Sequence, residues 1–313
     1  KFRLDIPRSL TRNRKNRQDR MARCDVRVRL TLKAESSRVD IETDFNNHAF
    51  DHRLRAWFPT GIKTDQVISD GHFYLNQRPL KRPSDPAWDQ PAPPTWPQQD
   101  FSAVQDPQSG LAIFNRGLPE FETWSDDEGG AIYALTLLRC VDWLSRDDFP
   151  TRKNTNAGPT MYTPDAQCYG RHTFRYSVAP YLGELLEAGV KDMSESYRVE
   201  PVTHQGVADQ WRPGGSSLLE KSDSRVAITA IKKSENDGQL VVRLCNLSSV
   251  DITETLRFGQ AVLKAFKVDF YEDPVSGDPS EPAITPKGHQ VGVPLGPHSI
   301  VTIAVSFAPE ETS

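Results

Sequence analysis

The 313-residue chain has no apolar run near the roughly 18 residues that a membrane-crossing helix requires, so no such span is expected. Its first residues, Lys1-Phe2-Arg3-Leu4-Asp5, hold neither the apolar centre of a secretory signal nor an initiating Met. A piece of a longer protein is the expectation. Cysteine is scarce: Cys24, Cys140, Cys168 and Cys245 lie far apart and form no C-x-x-C pair. That pattern excludes a disulfide framework and reads as buried thiols in a reducing, bacterial-type cytoplasm. The motif H-E-x-x-H, a Gly-rich phosphate loop and a G-x-S-x-G elbow are all missing. His48-x-x-x-His52 has helical zinc spacing, yet it sits between two strand patterns, so no metal site is assigned. Helical periodicity is nearly absent. Its one candidate begins at Gly183 and continues to about Tyr197, with apolar residues at 185, 186, 190 and 193 and an unfavourable Gly189.

Strand patterns fill the gap. Val26 to Leu32 and Val39 to Phe45 alternate apolar and polar with period two. Leu54-Arg55-Ala56-Trp57-Phe58 follows and is expected to stop at the turn Pro59-Thr60-Gly61. Tyr133 to Leu138, Leu240 to Leu247 and Ile300 to Val305 read as buried strands, and Asp126-Asp127-Glu128-Gly129-Gly130 as a charged hairpin turn. Many short strands with frequent turns indicate an all-β sandwich protein with one short helix near 184–197.

Charge and proline are unevenly spread. Residues 1–30 carry +8, which leaves −12 for the rest of a chain whose formal net charge is −4. A basic arm can hold phosphate, but no aromatic stacking pattern accompanies these arginines, so no nucleic-acid or membrane partner is expected. Eight Pro fall between 79 and 107. Such a stretch cannot be a central strand, since each Pro lacks a ladder donor, and it reads as a surface excursion pinned by Trp88 and Trp96. A second linker-like stretch, 210–224, precedes a smaller terminal β-unit.

The densest polar constellation follows the strand ending at Leu138. Arg139, Asp142, Arg146, Asp147, Asp148 and Arg152 lie within one loop that continues to Asn156-Ala157-Gly158-Pro159. Loops set by a rigid sheet are where binding groups collect, and Asp and Arg form the charge-assisted hydrogen bonds that suit sugar hydroxyls. A salt-bridged structural corner is the other reading, and both stay open here. Asp147 and Asp148 are neighbours, which argues against a glycosidase acid/base pair, because such carboxyls must flank the scissile bond.

In order along the chain, several segments resemble the C-terminal part of glycoside hydrolase family 38 α-mannosidases. The nearest branch is the bacterial one that includes mannosylglycerate-hydrolase-like enzymes. The carrying residues are Pro7-Arg8-Ser9-Leu10 with Arg14 and Arg17, and Asp51 through Gly61. Ser69-Asp70-Gly71-His72-Phe73, Gly110 through Pro119, and Leu137 to Arg152 with Asn156-Ala157-Gly158-Pro159 come next. Thr163 through Cys168, His172 through Tyr176, Val242 through Leu247 and Leu295-Gly296-Pro297 complete the series.

The resemblance implies a galactose-mutarotase-like supersandwich of antiparallel sheets over 1–222, then a small β-sandwich over 223–313. It implies a retaining exo-α-mannosidase whose Asp nucleophile and zinc ion belong to a separate N-terminal barrel. This chain alone would then hold no catalytic residue, cofactor or metal, and would be inactive. Its partners would be that catalytic domain and a mannoside or glycan, with self-association left open. The loop after Leu138 matches the family stretch that reaches the mouth of the sugar pocket, which makes Asp147, Asp148 and Arg152 the substrate-binding candidates. A freestanding carbohydrate-binding module is the alternative.

Overall fold

In a computed structural model the described residues are all except 89, 150–151, 154–156, 204, 206–216, 236–237, 276–283 and 309–313. Only the backbone is described for Phe149, Arg152 and Lys153. Strands hold 52% of the residues and helix 5%, so the chain is all-β as expected. It divides into two compact units, Lys1–Gly71 with Asn76–Gly183, and His72–Leu75 with Glu184–Ser313.

The strands of the first unit are, in chain order, β1 (Phe2–Pro7), β2 (Met21–Leu32), β3 (Val39–Asn47), β4 (Arg53–Lys63), β5 (Gln66–Asp70), β6 (Leu75–Pro79) and β7 (Thr95–Pro97). They continue as β8 (Phe101–Gln105), β9 (Ser109–Asn115), β10 (Glu120–Ser125), β11 (Gly130–Arg139), β12 (Asp148–Phe149), β13 (Arg152–Lys153) and β14 (Gly170–Leu182). One sheet runs β1-β2-β3-β14-β9-β8-β5-β6, and a second runs β4-β11-β10-β7. Period-two alternation decides which side chains meet between them. Ile41, Val67, Val104, Ile113 and Tyr176 of the larger sheet join Phe121, Tyr133, Leu135 and Leu137 of the smaller in one buried cluster. Each fully buried side chain of this size contributes roughly 1.5–3 kcal/mol by leaving water.

A separate cluster packs Ala22, Cys24, Val26 and Phe45 against Leu138 and Cys140, where the chain leaves β11. It fixes the root of the polar loop that follows.

Two local expectations change. The run Pro59-Thr60-Gly61 does not end β4, which continues to Lys63. β4 is an edge strand, so Pro59 can sit in it without breaking a ladder on both sides. A register shift between Gly130 and Ile132 absorbs Gly61 at φ 69°, and the Thr60 hydroxyl donates to the Ala131 carbonyl at 2.7 Å. The Pro-rich stretch also contains two strands. β7 lies at a sheet edge, where proline is tolerated, whereas β8 is proline-free and buried between β9 and β5. Only the intervening segments form the excursion. Asp126 closes the β10–β11 hairpin as anticipated, its carboxylate accepting from the amides of Glu128 and Gly130, with Gly129 at φ 82°.

The second unit holds helix α1 (Val190–Arg198) and strands β15 (Leu219–Glu220), β16 (Val226–Lys233), β17 (Leu240–Asn246), β18 (Ile252–Phe258), β19 (Val262–Val268), β20 (Pro286–Lys287), β21 (Gln290–Leu295) and β22 (Ile300–Phe307). The sheets β15-β18-β21-β20 and β16-β17-β22-β19 enclose Leu244, Leu256, Val293, Ile303 and Val305. The helix starts later than its apolar spacing suggests. Gly189 takes φ 71° at its N-cap, so residues 184–189 form turns before the regular helix begins.

Candidate functional site

The loop between β11 and β14 is held at its root by partners distant in sequence. Arg14 donates two parallel hydrogen bonds to the Asp142 carboxylate, at 3.0 and 2.6 Å, across 128 residues. Arg14 reaches this position from a loop residue with φ 57°. Asp142 keeps only 20% of its side-chain surface exposed. Burial pushes its carboxyl up, but the Arg14 hydrogen bond and charge outweigh that and hold it below the usual carboxylate range. Beside this pair, Arg17 donates to the carbonyls of Pro7, Phe50 and Asp51. Asp51 and Gln167 bond reciprocally: the Asp51 amide donates to Gln167 at 2.8 Å, and the Gln167 amide nitrogen donates to the Asp51 carboxylate at 2.7 Å.

The two arms of the loop are paired before it opens. The Val141 amide donates to Ala166, Thr163 to the Asp142 carbonyl and Leu144 to Met161, at 2.7–3.1 Å. Trp143 and Tyr162 pack with ring centroids 5.4 Å apart and planes tilted by 57°. Beyond this ladder lies the crest. Arg146, 17% exposed, donates from Nε to Asp148 at 2.7 Å and from a terminal nitrogen to the second carboxylate oxygen. Asp148 itself is 58% exposed, and the Arg146 hydrogen bond holds its carboxyl below the ordinary range. Asp147 is exposed beside it.

These positions answer the sequence reading residue by residue. Asp147 and Asp148 do lie at an exposed crest, but the cation paired with Asp148 is Arg146. In the β12–β13 ribbon the register opposes Asp148 to Lys153 and Phe149 to Arg152. The Arg152 side chain lies outside the described residues. The Arg14–Asp142 pair at the root was not singled out as a site. Both residues had been noted, yet nothing in local spacing marks a contact across 128 positions.

The histidines and cysteines have other tasks. The His48 ring stacks on Tyr169 at 5.6 Å, whereas His52 lies within 4.0 Å of the Cys140 sulfur. Burial lowers the His52 pKa and pushes the Cys140 thiol up to about 12, so both groups stay neutral near pH 7. Among the described residues no three His, Cys, Asp or Glu side chains gather as metal ligands. Of the two tryptophans expected to pin the excursion, Trp96 does so from β7, buried and donating to the Pro79 carbonyl at 3.2 Å, whereas Trp88 is exposed.

Residues 11–149 match the Glycosyl hydrolases family 38 C-terminal domain, and residues 225–303 match the Glycosyl hydrolases family 38 C-terminal beta sandwich domain. The chain belongs to glycosyl hydrolase family 38. The family's "Putative mannosylglycerate hydrolase" of Halalkalibacterium halodurans is 27% identical over 264 residues, which cover 78% of this chain and 27% of that protein. "Alpha-mannosidase 2C1" of Homo sapiens is 22% identical over 279 residues, covering 87% of this chain and 23% of that protein. Two solved structures, a family 38 protein and an alpha-mannosidase of Enterococcus faecalis, each superpose with a TM-score of 0.74 at 26% identity. Each superposition covers 96% of this chain, and 34% and 33% of the other chains respectively. The chain thus spans about a quarter to a third of the length of these relatives. As a family 38 C-terminal region, it carries two exposed acids, Asp147 and Asp148, at the crest of the β11–β14 loop.

Proposed function

We propose that this chain is the C-terminal portion of a retaining exo-α-mannosidase, scaffolding an N-terminal catalytic barrel and lending polar groups to its sugar pocket. The observation that carries this reading is the order of the two family domains, 11–149 then 225–303, on a chain that superposes over 96% of its length on an alpha-mannosidase. The second match, opening at 225, supports a terminal β-sandwich from 223 to 313.

Within this reading the Arg14–Asp142 and Asp51–Gln167 bonds are structural. They hold the loop root so that Asp147, Asp148 and Arg152 face a mannoside. Charge-assisted hydrogen bonds from such a crest would orient the sugar hydroxyls, a positioning contribution rather than acid/base chemistry. The zinc ion and the Asp nucleophile belong to the barrel. The cytoplasm is the proposed compartment, because all four cysteines are free thiols and three are buried. Among the described residues no helix is long and apolar enough to cross a membrane.

The test is hydrolysis of an aryl α-mannoside by the longer protein that contains this region, set beside the 313-residue chain alone. Zinc-dependent release by the longer protein and none by the chain alone is expected. Release by the chain alone would overturn the reading.

A further inference from the structure

The smaller sheet of the first unit has a second face, turned away from the core, and the function above makes no use of it. On β4 the outward residues are Arg53, Arg55 and Trp57; on β10 they are Glu122 and Trp124. Between them β11 places Ala134 directly opposite both Trp57 and Glu122 in register, and it is itself fully buried. The Trp57 and Trp124 rings meet edge to face, with centroids 5.0 Å apart at 78°. The Arg55 guanidinium lies 5.4 Å from one ring centroid and 5.7 Å from the other. Glu122 ion-pairs with Arg55 and, at 3.1 Å, with Arg53. Trp57 nevertheless leaves 56% of its surface in water.

A pyranose ring has one face of C–H bonds and a rim of hydroxyls. The negative face of an indole attracts such weakly positive C–H groups, as it attracts cations. The hydroxyl rim needs fixed donors and acceptors within a few ångströms, and Arg55 and Glu122 stand beside the ring already locked to each other. Their mutual pairing removes most of the side-chain ordering that a ligand would otherwise have to impose. A merely protruding hydrophobe would need neither the second indole nor the charge cluster.

The platform lies on the sheet from which the loop leaves. Arg53, at the start of β4, pairs in register with Arg139, from which the loop leaves, and Trp57 lies four residues further, about 13 Å at the strand rise.

We propose that the outer face of β4, β11 and β10 is a secondary glycan-holding site, in which Trp57 stacks on one pyranose unit while Arg55 and Glu122 bond its hydroxyls. The substrate class follows: an extended α-mannoside chain rather than a single sugar with a small aglycone. This rests on the reading of the chain as part of an α-mannosidase.

The intact protein, in the longer form that carries this region, tests it through calorimetric binding of an α-mannotriose whose glycosidic oxygens are replaced by sulfur, which resists hydrolysis, and through hydrolysis of an aryl α-mannoside. The Trp57→Ala variant should weaken mannotriose binding at least fivefold while kcat/KM for the aryl substrate, too short to reach the platform, stays within twofold. Trp57→Phe, which keeps a ring and the strand surface, should lose less. It serves as the readout should the alanine variant fold poorly. Mannotriose affinity indifferent to both substitutions would overturn the proposal. So would a Trp57 shielded from acrylamide quenching, since another part of the protein or a second copy then covers the face. Failure of the α-mannosidase reading would look different, with no aryl mannoside hydrolysis in any form, wild type included.

Discussion

The root and the crest of the β11–β14 loop are both built from Asp and Arg, yet they do different things. At the root, Arg14 and Asp142 are mostly out of water, 30% and 20% exposed, and join segments 128 residues apart. At the crest, Arg146 and Asp148 are two residues apart and the acid is more than half exposed. An ion pair that joins distant segments in a partly dry setting holds the fold together. A pair between near neighbours contributes little to stability when its acid stands mostly in water, as Asp148 does beside a 17% exposed Arg146, and that acid remains accessible to a ligand. The same two residue types therefore divide into a structural pair and a proposed binding pair by surroundings alone.

The sharpest way to break this contrast is Arg14→Ala. It leaves Asp142 partly buried without its donor and should lower unfolding free energy by about 1–3 kcal/mol, measured by urea denaturation. Next comes the acid dependence of the root. Asp142 is held below its unfolded pKa, so its contribution is present above about pH 4 and fades as pH falls through the lower folded value. Asp142→Asn should flatten the acid limb of a stability–pH curve. His52 acts in a different window. Burial lowers its pKa, so below about pH 6.5 the unfolded chain takes up a proton that the folded one resists, and stability falls with acidity. Replacing it in His52→Phe should reduce that slope between pH 5 and 7, read from melting temperatures across the range. The smallest effect belongs to the crest, where Asp148→Asn should change unfolding free energy by less than about 0.5 kcal/mol.

How far the sequence carried can be argued from single residues. Period-two alternation in Val39–Phe45 placed β3, whose one face meets the core, and in Val26–Leu32 it placed β2, although past Val26 both faces of that strand are exposed, Leu30 and Leu32 included. The run of Arg and Asp after Leu138 marked the polar loop, and Asp147 and Asp148 lie exposed there. Edge position was invisible to local pattern, so Pro59 was read as a stop when an unpaired strand side accommodates it. The eight-proline count likewise hid β8, whose five residues contain none. Long-range pairing escaped for a related reason. Arg14–Asp142 and Asp51–Gln167 depend on which strands neighbour each other, and sheet order is a property of the whole chain. The Trp57–Trp124 platform was overlooked because β4 and β10 meet only through β11.

The central claim is that the crest serves substrate while the root serves the fold. Measuring kcat/KM beside the melting temperature for Asp148→Ala in the longer enzyme tests it most directly. The account predicts a fall in kcat/KM of more than tenfold, a loss of more than about 1.4 kcal/mol of transition-state stabilisation, with the melting temperature unchanged. Unchanged kinetics would contradict it and make the whole loop a structural corner.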